Sequence, residues 1–207
     1  MPDLESITVE AHRHEYADGI REVWVGLLLA VGALGVGGRY IALVPLAALV
    51  LAASLPKVRD RFTTPRAGYA ELPFSGTRLL GGITVYVTAA AVLVIVVMAL
   101  AGDLATPARR YRWIPALVGV ALAGGFIHAA SVSRFRRFRV YAWASVLAGM
   151  SLTLTATGGR AEAYSRLAEL LGGLSVLLVV TGAAIFIGFL RRHRVHAGDP
   201  GKVTDGR

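Results

Sequence analysis

Apolar positions in this chain come as long unbroken runs, not as one face of an amphipathic repeat. Four runs carry no charged residue: Leu79–Gly102, Trp113–Ser133, Val140–Gly159 and Leu170–Leu190. A helix needs about 20 apolar residues to cross a hydrocarbon core of about 30 Å. Each run meets that length, and each predicts a transmembrane helix. Periodicity adds little, because a helix solvated by lipid is apolar all round.

A fifth run, Val23–Pro56, holds a single charge, Arg39. As one straight helix it would measure about 51 Å at 1.5 Å per residue, well beyond the bilayer. Its centre reads Gly35-Val36-Gly37-Gly38-Arg39-Tyr40. Consecutive glycines turn the chain at little steric cost, and an arginine beside a tyrosine suits the membrane interface. The run therefore predicts a hairpin of two short helices. The expected fold is an all-α, polytopic transmembrane helical bundle of six helices in three hairpins. Its spans lie at about 20–36, 40–55, 79–102, 113–133, 140–159 and 170–190. One tilted helix in place of the first hairpin gives the five-helix alternative.

Composition agrees with this class. Hydrophobic residues make up 55% of the 207 positions and charged residues 17%, against about 25% charge in an ordinary soluble domain. A soluble enzyme, a disordered chain and a disulfide scaffold are excluded, the last also by the absence of cysteine. The six acidic residues between Asp3 and Glu22 argue against a cleavable leader, which needs a basic start. Residues 1–22 are expected to form a cytoplasmic N-terminal segment and 191–207 a basic cytoplasmic tail.

The net charge of +9 is read as a membrane feature and not as a nucleic-acid footprint, because the basic residues flank the apolar runs. With six spans, the side holding 1–22, 56–78, 134–139 and 191–207 carries sixteen Lys and Arg, and the other side six. The positive-inside rule then puts both termini in the cytoplasm. In the five-span alternative only the N-terminus moves outside. Arginine outnumbers lysine twenty to two. With the many Ala, Gly and Val residues this matches a GC-rich bacterial coding composition, so the expected location is a bacterial cytoplasmic membrane.

Candidate chemistry is sparse. His128 is the only ionisable side chain inside an uncharged run, and intramembrane ionisable groups are functional candidates because burying them is costly. Thr84 and Thr88, four apart on one helical face, add hydroxyls that either line a polar path or bond to their own helix. The runs contain no Asp or Glu, no G-x-S-x-G and no H-E-x-x-H spacing. No catalytic residue, cofactor or metal site is expected. Small residues four apart recur, as in Ala121/Gly125, Gly125/Ala129, Ala144/Ala148 and Ser145/Gly149, and allow close helix packing or a homo-oligomer face. Trp24, Trp113, Tyr141 and Trp143 sit near span starts, as in an interfacial aromatic belt. The exits Ala52–Arg59 and Ala129–Arg136 echo each other 77 residues apart. Cytoplasmic helix ends commonly read small, apolar, then basic, and that accounts for the echo as well as a repeat does.

The most distinctive loop is Arg61-Phe62-Thr63-Thr64-Pro65-Arg66-Ala67-Gly68-Tyr69. Arg59, Arg61 and Arg66, with Tyr69, are the candidate contacts for anionic lipid head groups or another anion. This R-[FY]-T-x-P-R-x-G-Y segment resembles one found between the second and third spans of uncharacterised prokaryotic integral membrane proteins. The resemblance covers those nine residues and the hairpin layout, and implies no activity. The favoured function is a non-enzymatic structural, regulatory or lipid- or partner-binding membrane protein. A small transporter or channel with a path near helices three to five is the alternative, and a membrane enzyme acting on lipid-linked substrates comes third.

Overall fold

Six helices account for the secondary structure in the computed structural model, which describes residues 17–36, 43–62, 102 and 106–192. They are α1 (Ile20–Gly35), α2 (Leu43–Phe62), α3 (Pro107–Tyr111), α4 (Ile114–Ser133), α5 (Arg136–Thr155) and α6 (Arg160–Arg192). No strand occurs among the described residues, so the all-α class is right. The expected span 79–102 lies outside them except for Gly102.

Within the described residues, two segments are long and apolar enough to cross a membrane: Arg109–Ser133, which joins α3 to α4, and Arg160–Arg192. Of the other expected spans, 20–36 keeps its place within one residue and 140–159 does not. The run 20–36 becomes α1, closed where the Val36 amide donates to the Gly32 carbonyl at 3.0 Å. Within the run 40–55 a helix is described from Leu43, and it continues past Pro56 to Phe62. Proline removes one intrahelical hydrogen bond, but it does not by itself end a helix.

The span 140–159 is corrected at both ends. Its helix begins at Arg136 and stops at Thr155. Gly158 and Gly159 take φ of 108° and 111°, which side chains with a Cβ rarely adopt, so the chain leaves the helix there. The apolar part of α5 is therefore shorter than the uninterrupted run suggested. The expected outer loop 160–169 is helix, because α6 begins at Arg160. Its 33 residues make it about 50 Å long, so its charged first turns project beyond the apolar run at 170–190. Charge marks where the apolar run stops, not where the helix ends.

The helices pair mainly as α1 against α6 and α4 against α5, with thinner seams joining α6 to α4 and α5. Glycine makes both main seams close. A Cβ on Gly149 would meet the Pro115 carbonyl oxygen at 2.7 Å, and one on Gly119 the Ser145 carbonyl oxygen at 2.5 Å. Between α1 and α6, a Cβ on Gly182 would meet the Gly19 oxygen at 2.8 Å. Close backbone approach of this kind is how helices associate without a hydrophobic driving force. Of the small-residue pairs named from spacing, Ser145/Gly149 forms a seam. Gly125 meets nothing within 4 Å among the described residues.

Aromatic residues divide differently from the expected belt. Trp143 is 67% exposed, but Trp113 and Tyr141 are buried. Tyr141 stacks edge-on against Phe126 and Phe138, with ring centroids 5.7 and 5.9 Å away. Proximity to a span end told nothing about which way a ring points around the helix.

Candidate functional site

The starts of α1 and α5, the end of α4 and the last third of α6 meet at one end of the bundle. Asp18 and Glu22, expected in a cytoplasmic segment, are buried there. Asp18 accepts a hydrogen bond from the Ile20 amide at 3.1 Å through Oδ1, which satisfies one of the free donors at the α1 N-terminus. Carboxylates are also favoured there by the helix dipole.

Glu22 forms an ion pair with Arg137, Nε to Oε1 at 2.6 Å. The Arg137 guanidinium lies over the Phe135 ring at 4.5 Å and the Phe138 ring at 5.3 Å. This packing between rings turns Arg137 inward, while Arg134, Arg136 and Arg139 stay exposed. One turn further on, the Tyr141 hydroxyl donates to Thr181 Oγ1 at 2.8 Å, and Thr181 donates to the Leu177 carbonyl at 2.6 Å. The Glu22–Arg137 pair joins α1 to α5, and the Tyr141–Thr181 bond joins α5 to α6.

Sequence reasoning missed this cluster. Glu22 and Arg137 are far apart in sequence and each was read as part of a solvated flank. The one signal present was the coincidence of two carboxylates at the N-terminus of α1, Asp18 just before it and Glu22 in its first turn, with an arginine-dense turn at 134–139.

The residues singled out from sequence are not gathered at this site. Arg61 lies exposed in the last turn of α2. Arg59 belongs to the same helix, and its side chain is outside the described residues, as are Arg66, Tyr69, Thr84 and Thr88 entirely. His128 lies in α4, half-buried, and its Nε2 is buried with no hydrogen-bond partner among the described residues. The Ser131 hydroxyl donates to the His128 carbonyl, at 2.7 Å, and leaves the imidazole alone.

Other buried hydroxyls serve packing. Thr153 Oγ1 accepts from the Ala116 amide at 3.1 Å across the α4–α5 seam. The Ser145 hydroxyl returns to the Tyr141 carbonyl of its own helix at 2.8 Å. No group of three His, Cys, Asp or Glu side chains suited to a metal occurs among the described residues.

No protein-family model matches the chain, and no curated protein or solved structure matches it either.

Proposed function

We propose that this chain is an integral membrane protein of six spans that binds lipid or a protein partner and carries out no chemistry of its own. The observation that carries the reading is the outer surface of the helices. Leu34, Leu49, Val140, Leu147, Leu154 and Val176 are all more than three-fifths exposed. So many large apolar side chains facing outward on helices joined by glycine seams suit lipid as the solvent. The hydroxyls at the α4–α5 seam bond to backbone, which supports a packed interior over a polar path.

Six spans are supported over five by the position of Glu22. Its partner Arg137 lies at the end that the positive-inside rule assigns to the cytoplasm. With five spans the start of α1 belongs on the opposite side. The bacterial cytoplasmic membrane, with both termini inside, and anionic lipids as partners follow from the same charge distribution. A homo-oligomer through the remaining small-residue faces belongs to the same reading.

Reporter fusions after residues 1, 104 and 207 test the topology. Six spans require inside, outside, inside. A reporter outside at residue 1 leaves five spans, and a chain that stays monomeric and folded without detergent ends the membrane reading.

A small transporter is the second reading, favoured by the His128 Nε2, buried with no hydrogen-bond partner among the described residues. Flux in reconstituted vesicles that is abolished by His128→Ala would establish it. Flux that persists unchanged in that variant would remove His128 from any path.

A further inference from the structure

At the same end of the bundle, the α4–α5 hairpin carries an open groove of about 630 Å³. Its mouth holds Arg134, Arg139 and Ser131, and its body holds Ile127, Ala142 and Val146, with Trp143 on its wall. Along α4 the lining runs from Ser131 back to Ala123, about 12 Å at 1.5 Å per residue. One leaflet's share of the hydrocarbon core is about 15 Å. The groove is thus cationic at its head and apolar for most of a leaflet's depth.

We infer that this groove is a binding site for an anionic phospholipid, with the phosphate between Arg134 and Arg139 and one acyl chain lying along Ile127 and Val146. The inference rests on the membrane reading above and names the lipid class and its place. Charge complementarity selects the occupant. Among the described residues neither arginine pairs with a carboxylate, whereas their neighbour Arg137 is committed to Glu22. Helix α5 starts beside them at Phe135 with no side-chain cap, so its N-terminal dipole adds to the attraction for an anion.

The backbone makes the same point. Arg134 ends α4 at φ 57°, ψ 14°, the left-handed conformation that glycine fills at least cost. An arginine at that position places a guanidinium at the groove mouth. The chain's own run 79–102 is a competing occupant, but it carries no charge and leaves both arginines unmatched. The volume suits a head group and one chain, so the second chain stays in the bilayer.

The test uses the full chain, delipidated in detergent, with retained lipid counted by native mass spectrometry. Phosphatidylglycerol is expected to be retained at one site about thirtyfold more tightly than phosphatidylcholine, the combined strength of two arginines towards an anionic surface. Arg134→Gln/Arg139→Gln should abolish that preference. Arg191→Gln/Arg192→Gln removes the same charge at the neighbouring end of α6 and should preserve it. Ala130→Phe, which fills the groove and keeps both arginines, should also abolish binding while the thermal transition is retained.

Equal loss in the α6 variant would reduce the effect to diffuse surface charge and overturn the site. Competition by inorganic phosphate as strong as that by phosphatidylglycerol would overturn the acyl-chain part, and a photo-crosslink from position 143 to residues 79–102 would show the groove filled from within. Insertion into phosphatidylcholine vesicles with no preference for the anionic lipid sinks the site and leaves the membrane reading standing. Failure to insert sinks both.

Discussion

The two main seams of the bundle are joined by the same device and locked by different ones. Between α4 and α5, glycines at 119 and 149 bring the backbones together, and the lock is a neutral hydrogen bond from the Ala116 amide to Thr153. Between α1 and α6, glycines at 19 and 182 do the same. Beside this seam the lock is charged and lies with a third helix, because Glu22 of α1, packed against Gly182 of α6, reaches Arg137 of α5. A neutral bond within a hairpin needs no knowledge of the rest of the fold. A charged bond between distant segments forms only when the whole bundle has assembled, so it specifies the arrangement at the risk of leaving a buried charge unmatched.

The largest effect should come from breaking that charged lock on one side. Glu22→Ala leaves Arg137 packed between two rings without its counter-ion, and is expected to cost about 3 kcal/mol or more. Replacing both partners, as in Glu22→Leu/Arg137→Met, should recover most of the loss, because a neutral pair has no desolvation penalty. Equilibrium unfolding in detergent of the two single variants and the double variant gives the coupling directly. Additive losses would mean that the ion pair contributes nothing to the arrangement.

Next in size is the glycine seam. Gly149→Val drives a branched side chain into the Pro115 carbonyl and the Ala116 Cα, and is expected to cost about 2–3 kcal/mol by overpacking. Gly125→Val, with nothing within 4 Å among the described residues, should stay within about 0.5 kcal/mol. Similar thermal shifts for the two variants would show that glycine spacing alone, and not the observed contact, governs packing. Tyr141→Phe is expected to cost about 1 kcal/mol, the ordinary worth of one hydrogen bond, and the same unfolding measurement checks it.

This ordering also explains what could be read from the chain alone. Hydrophobic run length was enough for the helical class and for the approximate course of α1, α4 and α6, because backbone satisfaction in an apolar solvent leaves helix as the solution. Ser145/Gly149 was legible as a seam because both residues lie on one face of one helix. Gly125 has the same spacing and meets nothing within 4 Å among the described residues, since spacing names a face and says nothing of what lies opposite. The starts of α5 and α6 lie among charged residues, which a reading of charge as loop leaves out, and the end of α5 lies inside an uncharged run, which run length alone cannot place. The Glu22–Arg137 pair was invisible for a stronger reason. Nothing local distinguishes a buried carboxylate in the first turn of a helix from a solvated one; its burial comes from Gly182 and Arg137, which arrive from other helices.

The smallest expected effect lies at the opposite end of α6, where a charged group is held locally. Glu162 accepts from the Thr157 hydroxyl at 2.7 Å and from the Thr157 amide at 3.2 Å, closing the short link between α5 and α6. Those bonds to the ionised carboxylate, the hydroxyl first, hold its pKa below the ordinary value of 4.5, with Arg166 adding a smaller pull. Glu162 lies ahead of the apolar run and is partly exposed. Because the folded-state pKa is lowered, the stabilisation is complete above the ordinary value and disappears as pH falls through the lower one. Hydrogen exchange at the Thr157 amide should therefore accelerate across that acidic window, after correction for intrinsic rates, and be fast at every pH in Glu162→Gln. A global unfolding transition that moves in step with it would contradict the contrast with Glu22, since it would make a local bond as consequential as the buried one that ties α1 to α5.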